Sequence, residues 1–176
     1  MVKLGSSPNQ SAREEIPDFE AFFREHYRSV VRLAASVLGD FHAAQDVAQD
    51  VFFAAHTRFH GDVDRAPGWV RIAAVHASLN RLRGDRRRDR RHELTAVSEA
   101  VAGPEDSVLE RETRAELRQA LGRLSSKSAT VLVLRHGGMS YVEIAEVMEI
   151  KVGQVGTLLR RAEAALSKEM HHASRV

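Results

Sequence analysis

Apolar residues recur at helical spacing along nearly the whole chain, and no stretch alternates apolar with polar residues as a half-buried strand would. The first periodic segment opens at Pro17-Asp18, with Asp18 placed to cap it. Phe19, Phe22, Phe23, Tyr27, Val30, Val31, Ala34 and Leu38 then form one wide stripe, which Gly39-Asp40 breaks. A second helix is predicted from about Phe41 to Phe59, with Ala44, Val47, Ala48, Val51, Phe52 and Ala55 inward. His60 to Arg65, with its Gly and Asp residues, reads as a loop. Pro67 suits the first turn of a third helix, which carries Trp69, Ile72, Ala73, His76, Leu79 and Leu82 before Gly84 and a run of arginines. From Asp85 to about Pro104 the period is lost. A new pattern starts near Glu105 with Leu109, Leu117, Ala120, Leu121 and Leu124 on its buried side. Three shorter segments follow: Ser126 to about His136, Ser140 to Met148, and Val152 to about Met170. The fold expected is all-α. Two small helical domains, residues 17–84 and 105–176, follow a disordered tail (1–16) and are joined by a flexible basic linker (85–104).

Composition narrows the function classes. The chain has 176 residues, 43% of them hydrophobic and 28% charged, which suits a globular protein rather than a disordered or membrane one. No apolar run approaches the roughly 20 residues needed to span a bilayer, and the N-terminus lacks the apolar core of a signal peptide, so a cytoplasmic protein is expected. With no cysteine, a disulfide scaffold, a thiolate metal site and a thiol nucleophile are excluded. The 26 Lys and Arg nearly cancel the 24 Asp and Glu, but by position they separate. Glu14 to Glu25 holds five acids and one base, whereas Arg81 to His92 holds seven arginines against two acids. Such segregation points to different partners for different faces.

The sharpest local pattern is SYVEIAEVMEIKVGQVGTLLRRAEAAL. Ser140 and Glu143 have capping-box spacing, and Ile144, Ala145 and Met148 face inward. Glu149-Ile150-Lys151 makes a short turn, after which Val152, Val155, Leu159, Ala162 and Leu166 repeat as a core stripe. This is a helix-turn-helix. Its outer face offers Lys151, Gln154, Thr157, Leu158, Arg160 and Arg161, where such motifs contact bases and phosphates. In the N-terminal half, Asp46, Gln49 and Asp50 share one side of the second helix, opposite Val47, Val51 and Ala55. The third helix mixes Trp69 with Arg71, His76, Asn80, Arg81 and Arg83; an aromatic among cations suits single-stranded nucleic acid.

Over residues 18–170 the chain resembles an extracytoplasmic-function (ECF) sigma factor of bacterial RNA polymerase. The resemblance rests on Asp46-x-x-Gln49-Asp50-x-Phe52, on Pro67-x-Trp69 with Asn80 and the arginines after it, and on Ala120-Leu121-x-x-Leu124. It is completed by Ser140-x-x-Glu143-Ile144-Ala145 with Arg161-Ala162. It implies that Asp46, Gln49, Asp50 and Phe52 bind the β′ clamp helices of core polymerase, the β subunit being a further contact. It implies that the loop from about Phe59 to Arg65 and the third helix open the minus-ten promoter element. Arg65, Trp69, Arg71, His76, Asn80, Arg81 and Arg83 would there hold the melted strand and a flipped base. The helix-turn-helix would read the minus-thirty-five element as duplex through Ser140, Lys151, Gln154, Thr157, Leu158, Arg160 and Arg161. Family members are often held inactive by an anti-sigma factor. No catalytic residue, metal or cofactor is implied. Three departures from the family pattern stand out: His76 where Asn is frequent, Ser125 where Pro is usual after Leu124, and Lys151, Gly156 and Leu158 in place of the usual Ser and basic residues.

An alternative is a helix-turn-helix regulator acting without polymerase; it accounts for residues 105–176 and leaves the first hundred without a role. A metal enzyme finds little support among the nine histidines. His56 and His60 are four apart but have no Glu between them as in H-E-x-x-H, and His171-His172 lie near the end of the chain.

Overall fold

The computed structural model of the chain describes residues 19–59, 66–89 and 108–173. The tail, the cap expected at Asp18, the loop with Arg65, the linker beyond Asp89 and the side chain of Leu109 lie outside the described residues. Those residues form seven helices: α1 (Phe19–Leu38), α2 (Phe41–Arg58), α3 (Ala66–Asp89), α4 (Val108–Arg123), α5 (Ser126–His136), α6 (Tyr141–Val147) and α7 (Val152–Ala173).

Local chemistry accounts for most helix ends. Gly39 turns the chain at φ +71°, a conformation that costs glycine little, and the Asp40 carboxylate accepts from the N–H of Ala43 at 3.0 Å to cap α2. Ser125 caps α5, its hydroxyl accepting from the N–H of Ser128, so this residue serves well in the place of the usual proline. Both α5 and α6 end in a Schellman arrangement. The N–H groups of Met139 and Gly138 donate to the carbonyls of Leu134 and Arg135, and those of Ile150 and Glu149 to the carbonyls of Ala145 and Glu146. Glu149 takes the left-handed position at φ 53°, where glycine is usual, at a cost of roughly 1 kcal/mol.

Helices α1, α2 and α3 enclose one core, built from Val30, Val31 and Ala34 of α1, Val47, Ala48, Val51 and Phe52 of α2, and Val70 and Ala74 of α3. Phe52 sits at its centre. The rings of Phe19, Phe22, Phe23 and Tyr27 surround it at 6.5, 5.5, 5.0 and 6.0 Å. It is only 2% exposed, and so is not part of a polymerase-binding surface as the motif implied. The motif's aromatic anchors the helix that carries the acids.

The second core joins α4 to α7 through Leu121, Leu124, Leu134, Ile144, Val155, Leu159 and Ala162, and it does not stop at the C-terminal half. Leu33 and Val37 of α1 and Val75 and Leu79 of α3 are buried in it, so the two halves are packed together. Helix α3 also runs through Gly84 to Asp89, beyond the end expected for it. Just before that extension Arg83 donates to the carbonyls of Gly122 (3.3 Å) and Leu124 (3.0 Å) and to the hydroxyl of Ser126 (2.8 Å). A guanidinium set against the end of α4 complements the negative end of that helix. Leu117 and Val152, expected inside, are exposed. Ser78 and Thr130 are fully buried with no hydrogen-bond partner for their hydroxyls among the described residues, each costing about 1–3 kcal/mol.

Phe52→Ala should therefore destabilise the protein by about 3–5 kcal/mol, through the cavity left among four rings. Phe53→Ala, at a side chain 74% exposed, should change stability by less than about 0.5 kcal/mol. Urea unfolding monitored by circular dichroism distinguishes the two.

Candidate functional site

Three surfaces carry the candidate residues. On α2, Asp46, Gln49 and Asp50 are exposed and share one side of the helix. Phe53, one turn further along that side, is also exposed, so the acidic face ends in a large bare aromatic ring. The spacing 46, 49, 50, 53 could have revealed it in the sequence, but the motif drew notice to Phe52. Asp46 also lies 3.6 Å from the Arg81 guanidinium, linking α2 to α3 by an exposed pair of roughly 0–1 kcal/mol.

The second surface is the start and outer side of α3. Trp69 is half-buried; its ring meets Phe59 edge-on at 5.4 Å, and the Arg58 guanidinium lies 5.7 Å from its centre. An aromatic between a hydrophobic body and a cation offers both stacking area and charge. His76 and Asn80 are exposed on the same line of α3 as Trp69, and Arg81 is exposed beside them. Arg71 is half-buried, 3.7 Å from Glu143 of α6. The structure thus brings Trp69, His76, Asn80 and Arg81 together on the open side of α3, while Arg71 faces α6. Arg83, expected among the DNA contacts, is instead bound to the end of α4. Next to Trp69, between α3 and α6, is a cavity of about 390 Å³ lined by Arg58, Phe59, Trp69, Arg71, Glu143, Glu146 and Glu149.

The third surface is the helix-turn-helix. Ser140 accepts from the N–H of Glu143 at 3.3 Å, and its own N–H donates to the Glu143 carboxylate at 2.7 Å, a complete capping box. That backbone donation, and after it the Ser140 hydroxyl, holds the Glu143 carboxyl below its ordinary value; burial pushes it up by less, and Arg71 adds the smallest, downward effect. At the start of α7 the Gln154 side-chain oxygen accepts from the N–H of Lys151 at 3.0 Å, which leaves its amide nitrogen as the group for an outside partner. Lys151, Gln154, Thr157, Arg160 and Arg161 are exposed. Leu158 is not one of them. It is half-buried and packs against the C-terminal core, which accounts for an apolar residue at that position. Gln154, Thr157 and Arg161 line a shallow groove with Lys127, an α5 residue whose role no local pattern announced. Gly156 leaves room for Tyr141, whose ring carbon lies 3.6 Å from the position a Cβ would take, and Arg135 sits 5.4 Å from that ring's centre.

Among the described residues, no three His, Asp or Glu side chains are grouped to hold a metal, and no helix is long and apolar enough to cross a membrane. A helix-turn-helix with a basic outer face, packed on a helical unit that adds an aromatic and cationic helix, is the architecture of a DNA-binding transcription protein.

Comparison with known proteins makes this specific. Residues 22–88 match the model for sigma-70 region 2, and residues 114–166 that for sigma-70, region 4. The chain is 30% identical over 154 residues to the ECF RNA polymerase sigma factor SigW of Bacillus subtilis, covering 80% of this chain and 82% of that one. It is likewise 30% identical to SigM of Mycobacterium tuberculosis, covering 85% and 76%. The sigma factor RpoE of Bartonella quintana, solved in complex with the anti-sigma factor NepR, shares its fold with a TM-score of 0.55 at 18% identity, over 89% of this chain and 98% of that one. The chain belongs to the ECF sigma factors. It binds core RNA polymerase and promoter DNA and directs promoter-specific initiation of transcription, as its family does.

The depressed Glu143 carboxyl has a consequence for stability. A carboxylate favoured in the folded state stabilises above its unfolded value of 4.5, and that contribution is lost as pH falls through the lower folded value. Glu143→Ala should be less stable than the wild type at neutral pH. The difference should shrink as pH is lowered below 4.5, and thermal unfolding across that range measures it.

Proposed function

We propose that the two halves divide the work of the sigma subunit between them. The exposed side of α2, with Asp46, Gln49, Asp50 and now Phe53, docks on the β′ clamp helices of the polymerase. The observation that carries this reading is the composition of that side: two carboxylates and an amide around an aromatic ring 74% exposed, on a helix anchored from behind by Phe52. A bare phenyl ring ringed by polar groups is the pattern of a buried anchor in a protein interface.

The helix that follows takes the minus-ten element. Trp69 offers a stacking face, His76 and Asn80 offer hydrogen-bond groups along the same line, and Arg71 and Arg81 supply charge for the backbone. The helix-turn-helix takes the minus-thirty-five element. The Gln154 amide, Thr157 and Arg161 approach base edges, while Lys151, Arg160 and Lys127 meet phosphates. Ser140 contributes by fixing the start of α6. Residues 17–84 with the rest of α3 form the polymerase and minus-ten unit, residues 105–176 the minus-thirty-five unit, and the segment between them the connection. The protein works in the cytoplasm, without catalytic residues of its own and without a cofactor. An anti-sigma factor is a further partner, by analogy with the Bartonella sigma factor solved in such a complex.

Replacing both Asp46 and Asp50 with Lys should lower affinity for core polymerase by at least about tenfold, since like charges at an interface cost more than 1.4 kcal/mol. The unfolding midpoint should stay close to that of the wild type, because both side chains point outward. Co-purification with core enzyme and run-off transcription measure the effect. Unimpaired core binding by the double variant would remove the docking assignment.

A further inference from the structure

We propose that Tyr141 and Val152 form an apolar contact for the methyl groups of thymines in the minus-thirty-five duplex, so that this helix-turn-helix selects thymine where an arginine would select guanine. The inference deepens the minus-thirty-five role given above to α6 and α7, and rests on it.

The helix-turn-helix carries an excess of bare apolar surface. Among the described residues six large hydrophobic side chains are exposed, and three of them, Tyr141, Val142 and Val152, belong to this motif. Single hydrophobic residues on a surface are ordinary, but Tyr141 and Val152 are not single. Val152, Gly156 and Arg160 follow one another at intervals of four along α7, so they lie in a row on one side of that helix. Gly156 leaves a gap in the row. The Tyr141 ring of α6 lies against that gap, its Cε2 3.6 Å from the position a Cβ would take. An aromatic ring from the first helix therefore stands between Val152 and Arg160, in the place that an ordinary residue 156 would fill.

The ring is held there. The Arg135 guanidinium is 5.4 Å from its centre, and that guanidinium is itself fixed by donating to the carbonyl of Met139 at 3.0 Å. A side chain fixed by a cation and by the backbone of a helix offers a constant shape, which discrimination between bases needs. Tyr141 is still 43% exposed and Val152 46%, so both keep surface for a partner.

The chemistry of the major groove selects that partner. Guanine presents N7 and O6 there, adenine N7 and N6, and cytosine N4; thymine alone carries a methyl group into the groove. A basic side chain at position 156 would suit the two guanine acceptors. Gly156 supplies no such donor, and the Tyr141–Val152 surface would cover those acceptors without pairing them, which costs binding. A thymine methyl set against the same surface leaves water with no polar group stranded. Lys151, Arg160 and Arg161, all exposed around the patch, favour a polyanion over an apolar protein surface as what covers it.

Holoenzyme formed from the full-length chain and core polymerase first selects its preferred upstream element from duplexes randomised around minus thirty-five. Each thymine of that element is then replaced in turn by deoxyuridine, which lacks only the methyl group. One or two of these replacements should weaken binding by at least about threefold each, the worth of one buried methyl group, and the others should have little effect. The Tyr141→Ser, Val152→Ser variant should bind thymine and deoxyuridine duplexes equally at those positions. A merely structural role would weaken both duplexes together and keep their ratio. Gly156→Arg, which sets a guanidinium in the gap, should select guanine in place of one of those thymines. A selected element without thymine, equal binding of every deoxyuridine duplex by the wild type, thymine discrimination retained by the double variant, or an unchanged selection by Gly156→Arg would each overturn the proposal and leave the minus-thirty-five role standing. Selection of no upstream sequence at all would remove that role, and the proposal with it.

Discussion

Helix α3 is apolar on two sides, and both halves of the molecule are built on it. Val70 and Ala74 close the core of α1 and α2, while Val75 and Leu79 enter the core of α5, α6 and α7. Each large side chain buried in this way contributes roughly 1.5–3 kcal/mol, so neither side of the helix can be left in water without cost. Its remaining open line carries Trp69, His76 and Asn80, the groups suited to a melted strand. One helix therefore serves two cores and keeps a third line open, the one proposed above for DNA.

The electrostatics follow from that arrangement. The cations along α3, proposed above to face a nucleic acid, have protein partners in this structure. Arg81 pairs with Asp46 of α2, Arg71 with Glu143 of the helix-turn-helix, and Arg83 with the carbonyls closing α4. Of these ion pairs Arg71–Glu143 is the one that spans the two halves, and being partly exposed it is individually weak. The fork at Arg83 is stronger, since a guanidinium reaching two carbonyls and a hydroxyl loses little freedom for each bond formed.

The short helices of the C-terminal half were legible in the sequence because their ends are written in local chemistry. Ser125 and Ser140 announce starts, Gly137-Gly138 and the Glu149 turn announce stops, and each signal acts over three or four residues. Family membership was legible for the same reason, since its motifs are short and ordered. The second apolar side of α3 was not, because apolar residues on two sides of a helix blur the single stripe that periodicity detects. Leu33 and Val37 were hidden likewise among the stripe of α1. The motif assigns Phe52 to polymerase binding while its own period places it inside, and inside is where it lies; the exposed ring belongs to Phe53. The duty of Arg83 depends on carbonyls about forty residues away, and nothing in a run of arginines marks which one will close a distant helix.

The central claim is that α3 joins the two halves of the molecule, with Val70 and Ala74 in one core and Val75 and Leu79 in the other. Spin labels at cysteines introduced in place of Thr57 on α2 and Ser167 on α7, both exposed, would report the separation of the halves directly. The account predicts one short, narrow distance in the free chain, and a longer, broader distribution in the Val75→Asp, Leu79→Asp variant. A broad and long distribution in the free chain, or the same narrow distance in that variant, would contradict it.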